Sequence, residues 1–284
     1  MISIKLEGRL GNQLFQFAFI YAASKKLDTS FYLDKSIVDF ILPEYFVVKN
    51  DFLLALDNHI FSIKGYKYIF SIHLKKTFYL MLEKICFGKK KIIVNSDASA
   101  SVALMNLRNG FMYKGYFQSE EYFKNFKEDL KTIFTIKQQY KTAFNNISAT
   151  VSSSKKTVTV HIRRGDYVST EYELPTNYYK TALSMISDED NFYVFVSDDP
   201  LFIEQEFKYI ENKYISYNSE IIDLQFLINA DICILSNSSF SWWGAWLNNK
   251  PGKKVIAPEF WLGQRMGQEY PPEIIPPEWT TIAC

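Results

Sequence analysis

The sequence predicts an α/β fold made of two domains. In its second half, short apolar stretches alternate with longer amphipathic ones, a pattern typical of parallel strands joined by crossover helices. The chain also opens with a strand pattern, a glycine-containing turn and a helical apolar stripe. Between the halves the composition turns polar at 148–156. We therefore predict a boundary there and two domains, 1–150 and 151–284.

The first domain is predicted to contain short strands at 2–6, 31–33, 92–94 and 111–113. A helix follows Asn12, because apolar residues recur there at helical spacing. Another helix is predicted at 119–134, with glutamates near its start and a lysine near its end, as the helix dipole favours. The stretch 37–91 is rich in aromatic residues and lysine, and its pattern assigns no topology.

The second domain is predicted to alternate strands and helices. Its elements are a strand at 157–162, helices at 177–187, 201–208, 221–230 and 239–248, and strands at 192–197, 232–235 and 254–257. The tail carries Pro271, Pro272, Pro276 and Pro277, which predict an extended surface segment.

The segment His161–Tyr167, His-Ile-Arg-Arg-Gly-Asp-Tyr, follows the first of these strands. Open α/β sheets bind ligands at the carboxyl ends of their strands. Arginine carries a rigid fork of donors that matches pairs of phosphate oxygens, so Arg163 and Arg164 indicate an anionic, phosphorylated ligand. The alternative is an arginine–aspartate ion pair that fixes a loop.

A second polar segment, Ser236-Asn237-Ser238-Ser239, lies between the strand at 232–235 and the helix that follows. Asparagine and serine are favoured N-cap residues, and a helix N-terminus at a strand end attracts anions. The two segments together can hold a diphosphate. The tryptophans of this helix, at helical spacing, indicate core packing rather than a platform for a sugar.

Composition excludes several classes of protein. The chain has 32 Lys plus Arg against 31 Asp plus Glu, a net charge of +1, which is not the balance of a nucleic-acid-binding protein. Lysine clusters at 75–76, 89–91 and 155–156 are interpreted as solvated, with a weak attraction to anionic lipid left open. Three cysteines show no metal or redox spacing, and we expect neither a leader nor a membrane-spanning stretch. We expect a cytoplasmic protein, with at most peripheral contact to the inner face of the membrane.

Four motifs give the chain a family resemblance. They are Gly8–Gln16, His161–Tyr167, Val196-Ser-Asp-Asp-Pro200, and the run from Asp223-Leu-Gln-Phe-Leu-Ile-Asn-Ala-Asp231 to Ser238-Ser-Phe-Ser-Trp-Trp-Gly-Ala-Trp-Leu247. In this order they resemble the bacterial α-1,2-fucosyltransferases of glycosyltransferase family 11. The resemblance implies a GT-B-like fold, in which two Rossmann-like domains enclose a cleft, with residues 1–150 on the acceptor side and 151–284 binding GDP-fucose.

The resemblance also implies a reaction, the inverting transfer of L-fucose from GDP-β-L-fucose to the 2-hydroxyl of a terminal galactose. The acceptor is a galactose-terminated glycan, lipid-linked or free, of a bacterial surface polysaccharide. Two other readings stay open: a fucosyltransferase of α-1,6 regiochemistry, and a catalytically silent protein that binds a nucleotide sugar or a glycan.

Residue roles are carried over from the matching motifs. Arg163 is expected to contact the β-phosphate, and Asp166 or Glu171 to act as the base. The other expected donor-binding residues are His161, Arg164, Asn237, Ser238, Ser239 and Phe240. The alternative for His161 is a hydrogen-bonded structural histidine. Asp198 or Asp199 is expected to bind guanine, with a helix start as the alternative. Gly11, Asn12 and Gln13 are expected to touch donor or acceptor, unless they form a plain turn.

No cofactor or metal is expected. The acidic Asp188-Glu189-Asp190 precedes a strand rather than following one, which indicates a solvated turn. The three histidines, His59, His73 and His161, show no metal-ligand spacing.

Overall fold

The computed structural model describes residues 1–48, 68–88, 90–151 and 156–284. These residues form two compact units, Met1–Thr135 and Ile136–Cys284. Each unit carries a parallel sheet with helices, which confirms the predicted α/β class. His59 lies outside the described residues.

The first unit contains the strands β1 (Ile2–Lys5), β2 (Phe31–Asp34), β3 (Lys91–Ile93) and β4 (Met112–Lys114), and the helices α1 (Leu10–Lys26), α2 (Leu42–Tyr45), α3 (Tyr68–Cys86), α4 (Ala100–Met105) and α5 (Lys127–Ile133). The sheet order is β2-β1-β4-β3, with every neighbour parallel. β1 buries Ile2 and Ile4 fully, and α1 is buried along most of its length, so this strand and helix form the centre of the unit.

The helix predicted at 119–134 is wrong in its first half. Two 3₁₀ turns, Glu120–Tyr122 and Lys124–Phe126, precede α5. Between them Phe123 leaves the helical region with φ −140° and is buried, its ring 6.2 Å from that of Phe15. Burial of this aromatic side chain against α1 outweighs the local helical preference.

The second unit contains α6 (Gln138–Val151), β5 (Lys156–Ile162), α7 (Thr176–Met185), β6 (Asn191–Ser197), α8 (Pro200–Glu206), β7 (Lys213–Ile215), α9 (Glu220–Ile228), β8 (Ile232–Ile234), α10 (Ser239–Leu247), β9 (Lys254–Pro258) and β10 (Thr280–Ile282). The predicted strands and helices of this half are thus confirmed to within about two residues at each end.

The units divide at Thr135, before the predicted boundary at residue 150. The reason is α6, which packs on the second unit. The ring of Phe144 lies 5.1 Å from that of Phe226, and Nε2 of Gln225 donates to the carbonyl of Tyr140 at 3.1 Å. The polar stretch that suggested the boundary therefore follows the first helix of the second unit.

The second sheet has the order β10-β9-β8-β5-β6-β7, all parallel. Numbered from β5, this is the doubly wound order of nucleotide-binding folds, in which the strand order reverses between β5 and β8. One face packs against α7 and α8, and the other against α6 and α9. The side chain of Phe240, in the first turn of α10, joins this second face.

The tail is more buried than predicted. Its last strand, β10, pairs with β9 at the edge of the sheet. Ile274 and Trp279 are buried, and Nε1 of Trp242 donates to the carbonyl of Ile274 at 2.7 Å. The tail therefore covers the tryptophans of α10 instead of lying along the surface.

Candidate functional site

Polar residues follow three neighbouring strands at the carboxyl edge of the second sheet. Arg163 and Arg164 follow β5, Asp198 and Asp199 follow β6, and Ser236 to Ser239 follow β8. Because the strand order reverses between β5 and β8, the space beside their carboxyl ends is the switch point at which such sheets bind ligands. The expected donor-binding residues are thus brought to one edge.

Arg163 is held by two carboxylates. Its Nη2 contacts Oδ1 of Asp166, and its Nη1 lies 2.5 Å from Oδ2 of Asp198. The side chain of Arg163 is 18% exposed, whereas that of Asp166 is 60% exposed. The ion pair considered as an alternative is therefore present. Of the two carboxylates that contact Arg163, that of Asp166 is the more exposed, at 60% against 29% for Asp198.

Arg164 holds the loop after β5 in place through two ion pairs and a stacking contact. Its Nε lies 3.0 Å from Oδ2 of Asp199, its Nη1 lies 2.8 Å from Oε1 of Glu173, and its guanidinium stacks 3.8 Å above the ring of Phe202. Oε2 of Glu173 accepts a hydrogen bond from the amide of Ser169 at 2.8 Å. Arg164 therefore links the loop to Asp199, which follows β6, and to Phe202 of α8. Glu173 links Arg164 to Ser169 within the loop.

Asp198 and Asp199 contact the arginines with three of their four carboxylate oxygens, and the fourth caps a helix. Oδ1 of Asp198 accepts from the amide of Arg164 at 2.8 Å, while its Oδ2 takes Arg163. Oδ1 of Asp199 caps α8 by accepting from the amide of Phe202 at 3.2 Å. The close approach of Asp198 explains Gly165, since a Cβ at that position would lie 2.4 Å from Oδ2 of the aspartate.

His161 is a buried, hydrogen-bonded histidine. Its Nδ1 lies 2.7 Å from Oγ of Ser236, and its ring lies 5.4 Å from that of Phe240. Burial, and secondarily the charge of Arg163, lower the pKa of His161 to about 3. The imidazole is therefore neutral at physiological pH, and it joins the ends of β5 and β8 across the switch point.

The start of α10 forms the other side of this edge. Ser238 is its N-cap, and the Ser238 hydroxyl accepts from the amide of Phe240 at 3.3 Å. Nδ2 of Asn237 donates to the carbonyl of Tyr172 at 2.8 Å, which ties the arginine loop to this helix. Ser238, Ser239 and Phe240 are half-buried, so the positive end of the helix is accessible.

The tryptophans of α10 are core residues, as predicted. Trp242, Trp243 and Trp246 are buried and pack on one another. Gly244 allows the close approach of α9, because a Cβ there would lie 2.5 Å from Cβ of Leu227.

The two candidate bases differ in their surroundings. Asp166 is paired with Arg163. The carboxylate of Glu171 is 49% exposed, and its Oε2 lies 3.6 Å from Nη1 of the exposed Arg265. Glu171 is thus the candidate whose carboxylate is not held by the arginine pair.

The acidic segment at 188–190 lies at the opposite, amino edge of this sheet, before β6. Oδ1 of Asp188 accepts from the amide of Asp190 at 3.0 Å, as in a turn. Within the described parts of the chain, no group of three or more His, Cys, Asp or Glu residues is arranged to hold a metal ion.

Gly11, Asn12 and Gln13 lie in the first turn of α1, in the first unit. Gln13 is buried; its amide donates to the carbonyl of Asp39 at 2.8 Å and accepts from the amide of Ile41 at 3.0 Å. Oδ1 of Asn12 accepts from Nε2 of Gln118 at 2.9 Å. These side chains hold neighbouring loops, and their contact with a ligand stays a prediction.

The sequence assigned no individual role to Ser236, Glu173 or Asp223, although Ser236 and Asp223 lie in motifs quoted above. Asp223 lies on α9, and Oδ1 accepts from the hydroxyl of Ser216, which follows β7 at the same carboxyl edge. Burial raises the pKa of Asp223 to about 7, although the hydrogen bond from Ser216 lowers it. The available signal was an acidic residue inside an apolar helical run, Ile-Ile-Asp-Leu-Gln-Phe-Leu-Ile.

Two relatives from Escherichia coli are similar over most of their length. An alpha-1,2-colitosyltransferase is 31% identical over 317 residues, covering 99% of this chain and 99% of its own. The O-antigen biosynthesis glycosyltransferase WbnK is 28% identical over 288 residues, covering 90% of this chain and 93% of its own.

Solved structures show a similar fold. The NodZ alpha-1,6-fucosyltransferase soaked with GDP-fucose matches with a TM-score of 0.53 at 10% identity, over 87% of this chain and 92% of that one. A mutant of Arabidopsis thaliana FUT1 in complex with GDP matches with a TM-score of 0.53 at 8% identity, over 90% and 69%. These likenesses confirm the GT-B-like class.

A family model gives the assignment. The model for "Glycosyl transferase family 11" matches residues 1–283, almost the whole chain. The resemblance drawn from the four sequence motifs is therefore confirmed, and the chain belongs to glycosyl transferase family 11.

Proposed function

We propose that this glycosyltransferase transfers L-fucose from GDP-β-L-fucose to the 2-hydroxyl of a terminal galactose, with inversion and without a metal ion, in the synthesis of a bacterial O-antigen. The observation that carries the proposal is that Arg163 follows β5 and the Ser238-capped start of α10 follows the neighbouring strand β8, at the two strand ends that flank the switch point. The names of the relatives, one acting in O-antigen biosynthesis and one forming an alpha-1,2 linkage, support it.

In the proposed reaction, the acceptor oxygen bonds to C1 of fucose while the bond from C1 to the β-phosphate oxygen breaks. The proton of the acceptor hydroxyl passes to Glu171, and negative charge grows on the departing GDP. Arg163 and the positive end of α10 face that charge. A fixed cation of this kind supplies roughly 10²–10³ in rate.

Guanine recognition needs an acceptor for the N1–H and N2–H groups of the base. Asp198 or Asp199 was expected to bind guanine. Both oxygens of each carboxylate already accept a hydrogen bond or an ion pair from the protein. In the proposal they therefore hold the arginines. Asp223, a third carboxylate at this edge of the sheet, is the alternative reader of guanine.

Three alternatives concern the donor, the linkage and turnover. The colitosyltransferase relative favours GDP-colitose, whose sugar lacks the 3-hydroxyl of fucose. The fold likeness to an alpha-1,6-fucosyltransferase keeps that linkage open. A silent binder would retain the arginine pair and bind GDP without turnover.

The first experiment measures GDP release from GDP-fucose and from GDP-colitose, in EDTA, with galactosides including lactose, Galβ1-3GalNAc and Galβ1-3GlcNAc. Product linkage is read by NMR. We expect fucosylation of a galactose 2-hydroxyl in the presence of the chelator. Preference for GDP-colitose would replace the donor, activity restored only by Mn²⁺ would overturn metal independence, and tight GDP binding without turnover would favour the silent binder.

Arg163 is tested by Arg163→Lys and Arg163→Ala. Both variants should reduce kcat by roughly 10²–10³, because lysine keeps a charge but lacks the planar fork that pairs with phosphate. Exposed Arg108, in the first unit, provides the matched control Arg108→Lys. Turnover of Arg163→Ala close to that of the control would remove the phosphate assignment.

A further inference from the structure

The outward face of α3 combines exposed apolar side chains with lysines. Leu74, Met81 and Ile85 are 50%, 58% and 76% exposed. Their spacing of seven and four residues places them in one stripe along the helix. Lys76, Leu80 and Lys84, four residues apart, form the adjacent stripe, and all three are exposed. We call these six residues the lysine-flanked face.

The opposite side of α3 already has its packing partners. Tyr79 is buried with Phe87, Tyr32 and Met112, and Phe78 and Leu82 pack on the same cluster. Lys75 is half-buried and pairs with Asp39. Among the described residues, neither Lys76 nor Lys84 forms an ion pair. The apolar side chains of the lysine-flanked face are therefore not needed for the core, and its two lysines are free to meet an external anion.

We infer that the lysine-flanked face docks on a membrane surface that carries anionic lipids. An apolar stripe beside lysines is the composition of helices that lie in the lipid interface, where lysine stems pack on apolar groups and ammonium groups reach phosphates. No helix in the described part of the chain is long and apolar enough to cross a bilayer. With a net charge of only +1, the attraction comes from this local face.

Charge favours a membrane over a second copy of the chain. In a two-fold contact the same surface meets itself, so Lys76 and Lys84 of one copy would approach those of the other. Repulsion between these ammonium groups opposes such a dimer, whereas an anionic bilayer complements them.

Co-sedimentation of the full chain with vesicles tests this inference. The vesicles contain phosphatidylcholine alone or with about one-third phosphatidylglycerol, to give a negative surface potential. Lys76→Glu with Lys84→Glu should lower the bound fraction on anionic vesicles about tenfold and weaken its salt dependence. Met81→Gln with Ile85→Gln should lower binding at low and high salt alike. Met185→Gln with Lys208→Glu, on exposed positions of the second unit, is the matched control.

The results distinguish a membrane from a second copy of the chain as the partner of the lysine-flanked face. Wild-type protein that stays with the supernatant, or a control variant that loses as much binding as the α3 variants, overturns the inference. A wild-type dimer in sedimentation equilibrium that the α3 substitutions convert to monomer, without vesicle binding, assigns the face to a second copy. Unchanged melting temperatures of all variants show that the core side of α3 is intact.

Discussion

Glu173 joins Arg164 to the loop that carries the candidate bases. One oxygen pairs with the guanidinium at 2.8 Å and the other accepts the amide of Ser169 at 2.8 Å. Glu173→Gln keeps the size of the side chain but removes its charge and one acceptor. Misplacement of a catalytic group by about 1 Å can lower turnover roughly 10²-fold. We therefore expect kcat to fall between about tenfold and a hundredfold, with a smaller change in the donor KM.

Steady-state GDP release measures this effect. Glu206→Gln is the matched control, because it removes a carboxylate that pairs with Lys180 on the surface at 3.3 Å. If Glu173→Gln and Glu206→Gln behave alike in kcat, Glu173 serves stability alone. A loss confined to the melting temperature leads to the same conclusion.

At the residue scale, the sequence predicted what depends on order along the chain. Arg163 and Ser238 follow strands, and a strand can be recognised from its apolar residues. The roles of Glu173 and Ser236 were not predicted, because they depend on partners that lie nine and 75 residues away in sequence. Pairings of this kind have no periodicity, so the pattern carries no signal for them.

The helix α6 belongs to the second unit, and a point substitution tests this. Phe144 is buried against Phe226, and Ile147 and Val151 pack on the same cluster. Phe144→Ala should lower the free energy of unfolding of the second unit by about 3–5 kcal/mol, through lost burial and the cavity left behind. The measurement is guanidinium chloride unfolding followed by tryptophan fluorescence.

The same helix provides the control. Asn146 is exposed, and Asn146→Ala should leave the unfolding midpoint nearly unchanged. Equal midpoints for the two variants would place α6 outside the cooperative core of the second unit and support the later boundary at residue 150.

At the element scale, strands and helices with a clear apolar periodicity were predictable. The two misassigned segments, 119–134 and the C-terminal tail, were misassigned for the same reason. The residues 119–134 have helical composition, yet burial of Phe123 against α1 divides them. The tail has the prolines of an extended segment, yet Ile274 covers Trp242. In both cases a contact between residues far apart in sequence outweighs the local preference. A single sequence does not reveal such contacts.

At the scale of the whole molecule, two buried groups of the second unit act on stability in opposite directions. The pKa of His161 falls from 6.5 to about 3, so the folded state binds fewer protons than the unfolded state, and stability is lost as the pH falls through that range. The pKa of Asp223 rises from 3.8 to about 7, so its contribution is lost as the pH rises through that range. The two windows overlap between pH 3.8 and 6.5, where the two effects oppose each other.

Removing one group should therefore reveal the pH dependence of the unfolding free energy that the other group causes. His161→Gln leaves Asp223, so the variant's unfolding free energy should decrease by about 1.4 kcal/mol for each pH unit from about pH 4 to 6.5. Asp223→Asn leaves His161 and should show the opposite slope of similar size. The double variant should lack both slopes. All five tryptophans of the chain lie in the second unit, so their fluorescence in guanidinium chloride follows the unit that contains both groups. Parallel pH profiles for wild type and both single variants would mean that neither group changes its proton affinity on folding, which contradicts the burial that the structure gives them.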